Sequence, residues 1–372
     1  MYKIFIITGE YSADKHASEV VKEVRKLLPD VVIEGVGESN LEAQGVKLFE
    51  NHDKMAKMGL TPSTIINHFK LGKRIVNYLV NDFKPDLVLL IDYGAFNLQM
   101  AKHLKKAGLK VFYFIPPQIW ASRKYRLKTI KKYVDKVLTI FPFEKEFYDE
   151  EGINATYVGH PIIKEMTVCN NREEFFKKHK LDPNKKLISI FPGSRIFEIN
   201  FLLKIFTNAV KLIEEKREDI QFVFSHAKSL KDDAFKVPYK TIKNKNHELL
   251  AYSDALLLAS GTVALEAAMY ETPMIIAYKG PLLFYIGYLI LRNIKRACLV
   301  NIITKSDYID EYLMYDATPD KISKGLLDIL DNPKKRNHVI KGCKKTKELI
   351  GDANCAFNVA KIIQSELIGV EL

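Results

Sequence analysis

Short apolar runs alternate with longer amphipathic stretches along the whole chain, and this rhythm predicts most of its elements. In the first half, Lys3–Thr8, Val31–Val36, Leu87–Asp92, Lys110–Ile115, Lys136–Ile140 and Ala155–Val158 read as strands. Ala17–Leu28, Ile65–Asp82 and Leu98–Ala107 read as helices among them. The second half repeats the theme, with strands Leu187–Phe191, Gln221–Ser225, Ala255–Ala259 and Met274–Tyr278 and helices Ile199–Lys216 and Ala264–Tyr270. Strands apolar on both faces that alternate with helices belong to parallel sheets covered on both sides. At 372 residues the chain exceeds one ordinary core. The pattern therefore predicts an α/β protein of two doubly wound domains, with the polar stretch Cys169–Lys186 as a junction and the ligand in a cleft faced by strand C-termini.

Composition sharpens this in a few places. A hydrophobic fraction of 47% with 27% charged residues describes a soluble globular protein. Cys169, Cys298, Cys343 and Cys355 have no paired spacing, so neither a disulfide framework nor a zinc site is indicated; structural thiols in a reducing compartment fit. Met1–Ile7 enters a short strand without signal-peptide architecture, which predicts a cytoplasmic location. The net charge of +12 comes without a DNA- or RNA-binding motif, so nucleic acid is not an expected partner. The charge suits either a solubilising surface or an anionic membrane.

One stretch bears on that choice. Pro281–Leu291 is nearly all apolar and is followed by Arg292, Lys295 and Arg296. It is too short to span a bilayer. It reads as a core helix or as an interfacial helix with its basic flank on lipid headgroups. A second basic stretch, Arg123–Lys128 with Lys131 and Lys132, extends the same footprint.

The candidate chemistry lies where strands break. Leu187–Phe191 runs into Pro192-Gly193-Ser194-Arg195 and Glu198, and Ala255–Ala259 runs into Ser260-Gly261-Thr262 and Glu266. Each is a strand–turn–helix transition that aims backbone N–H groups and a helix dipole at an anion. Two together suggest a diphosphate, and Arg195 adds charge-assisted contacts. Glu198 and Glu266 read either as ligands for ribose hydroxyls or as helix caps. Asn301, polar within an apolar run, either holds a base or phosphate or satisfies local backbone. In the first half, Gly9–His16 places Glu10, Asp14 and His16 at the end of the first strand, and G-x-G-x-x-G is absent. Gln118 and Trp120 follow a double proline, and His160 ends the last strand of this half.

The segments Tyr113–Arg126, Phe141–Glu144 with Tyr148, Tyr157–Pro161, Phe191–Glu198 and Ser253–Glu266 occur in an order and spacing that resembles the lipid-A-disaccharide synthases. These are bacterial glycosyltransferases of the GT-B fold, two Rossmann-like domains facing a central cleft. The resemblance covers essentially the whole chain. It implies an acceptor-binding domain over residues 1–168, a UDP-sugar-binding domain over 169–350, and a C-terminal helix over 351–372 packing back toward the first domain. The implied reaction joins UDP-2,3-diacylglucosamine to 2,3-diacylglucosamine 1-phosphate, giving a β-1,6-linked disaccharide and UDP with inversion. It needs no metal and no cofactor. The implied setting is peripheral, on the cytoplasmic leaflet of the inner membrane; the sequence leaves the oligomeric state open, a homodimer being one option. UDP contacts fall to Ser194, Arg195, Glu198, Ser260, Gly261, Thr262, Glu266 and Asn301, and acceptor contacts to Asn97, Gln118, Trp120 and His160.

The chain departs from the family pattern at the expected catalytic base. Family members commonly read I-D-x-P-D-F-N, whereas this chain reads Ile91-Asp92-Tyr93-Gly94-Ala95-Phe96-Asn97, with Ala95 in place of the second aspartate. S-G-D likewise becomes Ser12-Ala13-Asp14, and M-G-x-x-E becomes Met58–Pro62. Asp92, Asp14, His16 and Glu10 are the candidate replacement bases. Alternatives are another GT-B enzyme on UDP-sugars, such as a UDP-GlcNAc 2-epimerase or other lipid-linked glycosyltransferase, and a non-catalytic UDP-sugar- or lipid-binding homologue.

Overall fold

The computed structural model describes residues 1–51, 62–120, 124–168, 171–232, 235–281 and 296–370. All but the last residue of the family-pattern departure at Met58–Pro62, the start of the basic stretch at Arg123, and nearly all of Pro281–Arg296 lie outside the described residues. Two compact units are present. The first comprises Met1–Ile163 with Asp352–Leu372, and the second Lys164–Gly351.

The first unit contains β1 (Lys3–Ile7), α1 (Tyr11–Leu27), β2 (Val32–Gly37), α2 (Ser39–Ala43), β3 (Lys47–Asn51), α3 (Pro62–Tyr78), β4 (Leu87–Ile91), α4 (Gly94–Lys106), β5 (Val111–Phe114), α5 (Leu127–Tyr133), β6 (Lys136–Thr139), α6 (Pro142–Glu150) and β7 (Ala155–Tyr157). Its strands form one parallel sheet in the order β3-β2-β1-β4-β5-β6-β7. The five residues of β4 are all fully buried, which is why this strand reads as an unbroken apolar run. One core cluster on the sheet joins Val20, Val21 and Val24 of α1 to Val359, Ala360 and Ile363 of the C-terminal helix Cys355–Ile368. The other joins Leu71 and Ile75 of α3 to Leu98, Ala101 and Leu104 of α4.

The second unit repeats the plan with β8 (Lys186–Phe191), α7 (Ile196–Glu214), β9 (Ile220–His226), β10 (Lys240–Lys243), α8 (Asn246–Tyr252), β11 (Ala255–Ala259), α9 (Val263–Met269), β12 (Met274–Tyr278), α10 (Leu299–Thr304), β13 (Glu311–Leu313), α11 (Pro319–Asp331) and α12 (Pro333–Ile350). Its parallel sheet runs β10-β9-β8-β11-β12-β13. Cys298 and Cys343 are buried here, and burial pushes both thiols up to about 12, so they stay protonated. Among the described residues no helix is long and apolar enough to cross a membrane.

Candidate active site

In each sheet the strand order reverses beside the first strand, between β1 and β4 and between β8 and β11. Ligands of doubly wound sheets gather beyond the strand C-termini at such points. The four turns singled out in the sequence follow these four strands.

In the first unit the turn after β4 is strained. Asp92 and Tyr93 both adopt φ of +50°, a left-handed conformation that costs a non-glycine residue free energy and persists only when its surroundings enforce it. Two fully buried donors do so. The Asn97 side-chain amide donates to the Asp92 carbonyl at 2.8 Å and to that of Ile91 at 3.1 Å, and the Tyr113 hydroxyl donates to the Asp92 carbonyl at 2.8 Å. Tyr93 lies over Gly9, where a Cβ would come within 2.1 Å of the ring. The Tyr93 hydroxyl is 2.8 Å from His68 Nε2. The Asp92 carboxyl is held above its ordinary pKa, first by burial and then by the negative charge of Glu10. Glu10 is exposed, as is Ala95.

The Asn97 amide nitrogen is committed to holding the Asp92 turn, while its Oδ1 is buried with no hydrogen-bond partner among the described residues, so the substrate contact expected of Asn97 falls to that oxygen. For Asp14 the structure corrects the expected role as base. It is fully buried and accepts from the backbone N–H groups of Glu38 at 2.6 Å and Asn40 at 2.9 Å, so it pins the β2–α2 turn and is closed to a substrate proton.

Trp120 and His160 belong to an aromatic group at the β6 and β7 ends. Trp120 meets Phe143 edge-on at 4.9 Å, and its Nε1 donates to Glu144 at 3.1 Å. Burial pushes the Glu144 carboxyl up to about 7, against the lowering effect of the Trp120 hydrogen bond. His160 packs on Phe141 at 4.9 Å, and its Nδ1 accepts from the Ile162 N–H at 3.1 Å. Burial, and then the like charge of nearby His16, push His160 down to about 3, so it is neutral at physiological pH and presents an Nε2–H donor. Gln118 is exposed.

In the second unit the two turns differ. Gly193 has φ of +121°, and a Cβ there would sit 2.4 Å from Glu198 Oε2, so only glycine fits. Glu198 accepts from the N–H groups of Ser194 at 2.8 Å and Arg195 at 3.1 Å, and from Arg195 Nη1 at 3.3 Å. The first turn is thus capped by its own carboxylate. Those two N–H groups are engaged by Glu198, which takes the capping geometry that its position in the helix allows. The Arg195 side chain is 77% exposed, so its guanidinium remains accessible.

The second turn is open. Gly261 and Thr262 are exposed, and nothing lies within 4 Å of a Cβ placed on Gly261. Ser260 donates its hydroxyl to the Ala297 carbonyl at 3.1 Å. Glu266 is half-buried and raised in pKa, chiefly by burial, with nearby His247 opposing and Glu165 reinforcing. His247 Nδ1 and the Tyr270 hydroxyl beside it are buried polar atoms with no hydrogen-bond partner among the described residues. Asn301 is 1% exposed and engaged on all sides: it donates to the Ile309 carbonyl and Glu311 and accepts from the N–H groups of Tyr308 and Ile309. It is a scaffold for the α10–β13 turn, which corrects its expected place against the nucleotide.

Sequence reading assigned no role to Tyr113, Tyr93, His68, Glu144 or His247. Tyr113 and Glu144 lie inside family-like segments, which is the signal that marks them.

With this geometry in place, the comparisons with known proteins are decisive. The family model of lipid-A-disaccharide synthetase matches residues 4–363. The chain belongs to the lipid-A-disaccharide synthase family. It is 37% identical over 371 residues to the lipid-A-disaccharide synthase of Coxiella burnetii strain CbuG_Q212, covering 97% of this chain and 98% of the relative. It is 32% identical over 376 residues to lipid-A-disaccharide synthase 1 of Legionella pneumophila strain Lens, covering 98% and 97%. Among solved structures it resembles the UDP-GlcNAc 2-epimerase of Neisseria meningitidis bound to UDP-GlcNAc, with TM-score 0.62, 13% identity and coverage of 99% and 100%. Anabaena HepE in complex with UDP and glucose gives TM-score 0.57, 11% identity and full coverage of both chains. Those two likenesses carry the GT-B fold alone, whereas the closer sequence relatives are synthases, so the epimerase reading is not favoured. Membership of this family makes the chain a hexosyltransferase of lipid A biosynthesis.

Proposed function

We propose that the chain joins UDP-2,3-diacylglucosamine to 2,3-diacylglucosamine 1-phosphate through a β-1,6 bond, with inversion and release of UDP. The first unit takes the acceptor near the Asp92 turn, Gln118, Trp120 and His160. The second takes the nucleotide at Ser194, Arg195, the open Ser260–Thr262 turn and Glu266. Asp92 serves as the general base that removes the acceptor's 6-hydroxyl proton, in the role for which Ala95 has no acceptor atom. The observation that carries this reading is the Asp92 turn: a half-buried carboxyl of raised proton affinity, held in a strained conformation by two buried donors. Glu10, exposed, supports Asp92 electrostatically, and His16 lies beside His160. The Arg195 guanidinium and the open turn stabilise charge building on the leaving diphosphate.

Mass spectrometry of the products formed from the two acylated sugars, with wild-type protein and Asp92→Asn, tests this. Disaccharide from the former and little from the latter, with UDP binding equal in both, is expected. UDP binding without disaccharide from the wild type would favour the non-catalytic reading.

Acylated substrates and the charge of +12 support a peripheral place on the inner membrane's cytoplasmic leaflet. Flotation with anionic vesicles should weaken when Arg292, Lys295 and Arg296 are neutralised; binding that survives this change and high salt alike would contradict the electrostatic part. Sedimentation equilibrium tests the homodimer.

A further inference from the structure

A cavity of about 710 Å³ opens in the first unit between α3 and α4, beside the Asp92 turn. Its walls are formed by Gly72, Val76 and Val80 from α3 and the π-helical turn Leu79–Phe83 that continues it, and by Tyr93, Phe96 and Met100 at and along α4. The volume lies within the range of small-molecule sites, and the lining is mostly apolar. The α3 side also leaves Phe69 60% and Val80 41% exposed at the groove.

The direction of the groove follows from its cross-contacts. The His68 ring is 5.5 Å from that of Phe96, and a Cβ on Gly72 would lie 3.2 Å from Met100 Sδ. The pairs 68 with 96 and 72 with 100 mean that the two helices run the same way. Tyr93 and His68 therefore mark one end, next to Asp92, and Val80 and His103 mark the other. Twelve helical residues separate His68 from Val80, a length of about 18 Å. One leaflet of a bilayer's hydrocarbon core is about 15 Å thick, so the groove matches one extended acyl chain. The charge at its walls points the same way: Lys73 lines it, and among the described residues no acidic side chain does. A phosphorylated amphiphile is complementary to such a rim, and the mouth of the groove continues directly into the turn that holds the base.

We propose that this groove seats one acyl chain of the diacylglucosamine 1-phosphate acceptor, and that Val80 and His103 at its far end set the chain length accepted. The inference rests on the reading that the acceptor binds the first unit at Asp92. The tenant is a single chain of the substrate, and neither the bilayer itself nor a second copy of the protein.

Equilibrium binding of 2,3-diacylglucosamine 1-phosphates of increasing chain length, measured without UDP-sugar, is the direct test. Val80→Trp and, from the opposite wall, His103→Trp fill the far end at exposed positions. Each methylene shut out of an apolar site is worth about fourfold in affinity, so excluding two weakens the longest ligand about fifteenfold. The shortest ligand should stay within about twofold of wild type, and Val80→Ala should move the optimum toward longer chains. Equal losses for short and long ligands, or no change for either, would overturn the proposal. So would an unchanged length profile accompanied by altered vesicle flotation or oligomeric state. Failure of the wild type to form disaccharide while this length profile appears would remove the proposed reaction and leave the groove assignment standing. Normal turnover with a flat length profile would do the reverse.

Discussion

Replacing Tyr113 by Phe removes a single hydroxyl and isolates the support of the Asp92 turn from everything else in the site. The phenol is fully buried and donates to the Asp92 carbonyl at 2.8 Å. That carbonyl keeps the Asn97 amide, also at 2.8 Å, so the substitution does not orphan a buried acceptor. The expected stability loss is therefore one net hydrogen bond, about 1 kcal/mol. For a unit of this size that corresponds to a fall in Tm of about 2–4 °C. The catalytic effect should be larger than the stability effect. Asp92 and Tyr93 both sit at φ of +50°, and half of the clamp on Asp92 is gone, so the carboxylate drifts from the acceptor hydroxyl. Since a misplacement of about 1 Å can cost about a hundredfold, kcat should fall between about tenfold and a hundredfold. KM for the UDP-sugar should not move, because no nucleotide contact is altered. Thermal unfolding and steady-state kinetics on the same preparation measure both quantities. A lowered Tm with unchanged kcat would refute the positioning role, as would a loss confined to KM for the UDP-sugar.

Other expectations follow from the same geometry. Asp92→Asn should lower kcat by about a hundred- to ten-thousand-fold. In the wild type, activity should rise with pH through an acid limb displaced above the ordinary carboxylate range, because burial and Glu10 favour the protonated form of Asp92; an acid limb unaltered in Glu10→Gln would contradict the Glu10 contribution. Arg195→Ala should weaken UDP binding by about 1.5–3 kcal/mol in calorimetry, and an unchanged affinity would displace the diphosphate from this turn. Glu144 is raised from 4.5 to about 7 on folding, so the folded state binds the proton more tightly. Its contribution is fully present below about 4.5 and is lost as pH rises toward 7. Glu144→Gln keeps an acceptor for Trp120 and should raise stability at pH 8 by up to about 3 kcal/mol while flattening the profile between these values. A Tm at pH 8 that does not rise would refute that expectation.

The central strands were legible because they are buried on both faces. Ala255–Ala259 and Met274–Tyr278 have the bounds that the apolar runs predict, and β1, β4 and β8 differ by a residue. The strands that escaped prediction are the edge strands Lys47–Asn51, Lys240–Lys243 and Glu311–Leu313, whose residues, Ile242 apart, are half-buried or exposed and carry no continuous apolar run. Within the site, the positions of the turns could be read from strand–glycine–helix transitions, but the partners of their polar side chains could not. Glu198 at the third position of α7 reads equally as cap and as ligand, and its 2.8 Å bond to the Ser194 N–H is visible only in the fold. Asp14 reaches Glu38 across 24 positions, and Tyr113 reaches Asp92 across 21. Such long-range pairings have no local signature. Asn301 stood out because it is polar in an apolar run, and that is also the mark of a buried amide that ties down a neighbouring turn.

The central claim is that this chain forms the lipid A disaccharide with Asp92 as base despite Ala95. Incubation of purified protein with UDP-2,3-diacylglucosamine and 2,3-diacylglucosamine 1-phosphate, followed by mass spectrometry, tests it most directly. The account predicts a β-1,6 disaccharide 1-phosphate and stoichiometric UDP from the wild type, with turnover collapsing in Asp92→Asn. Undiminished turnover in Asp92→Asn, or UDP binding with no disaccharide from the wild type, would contradict it.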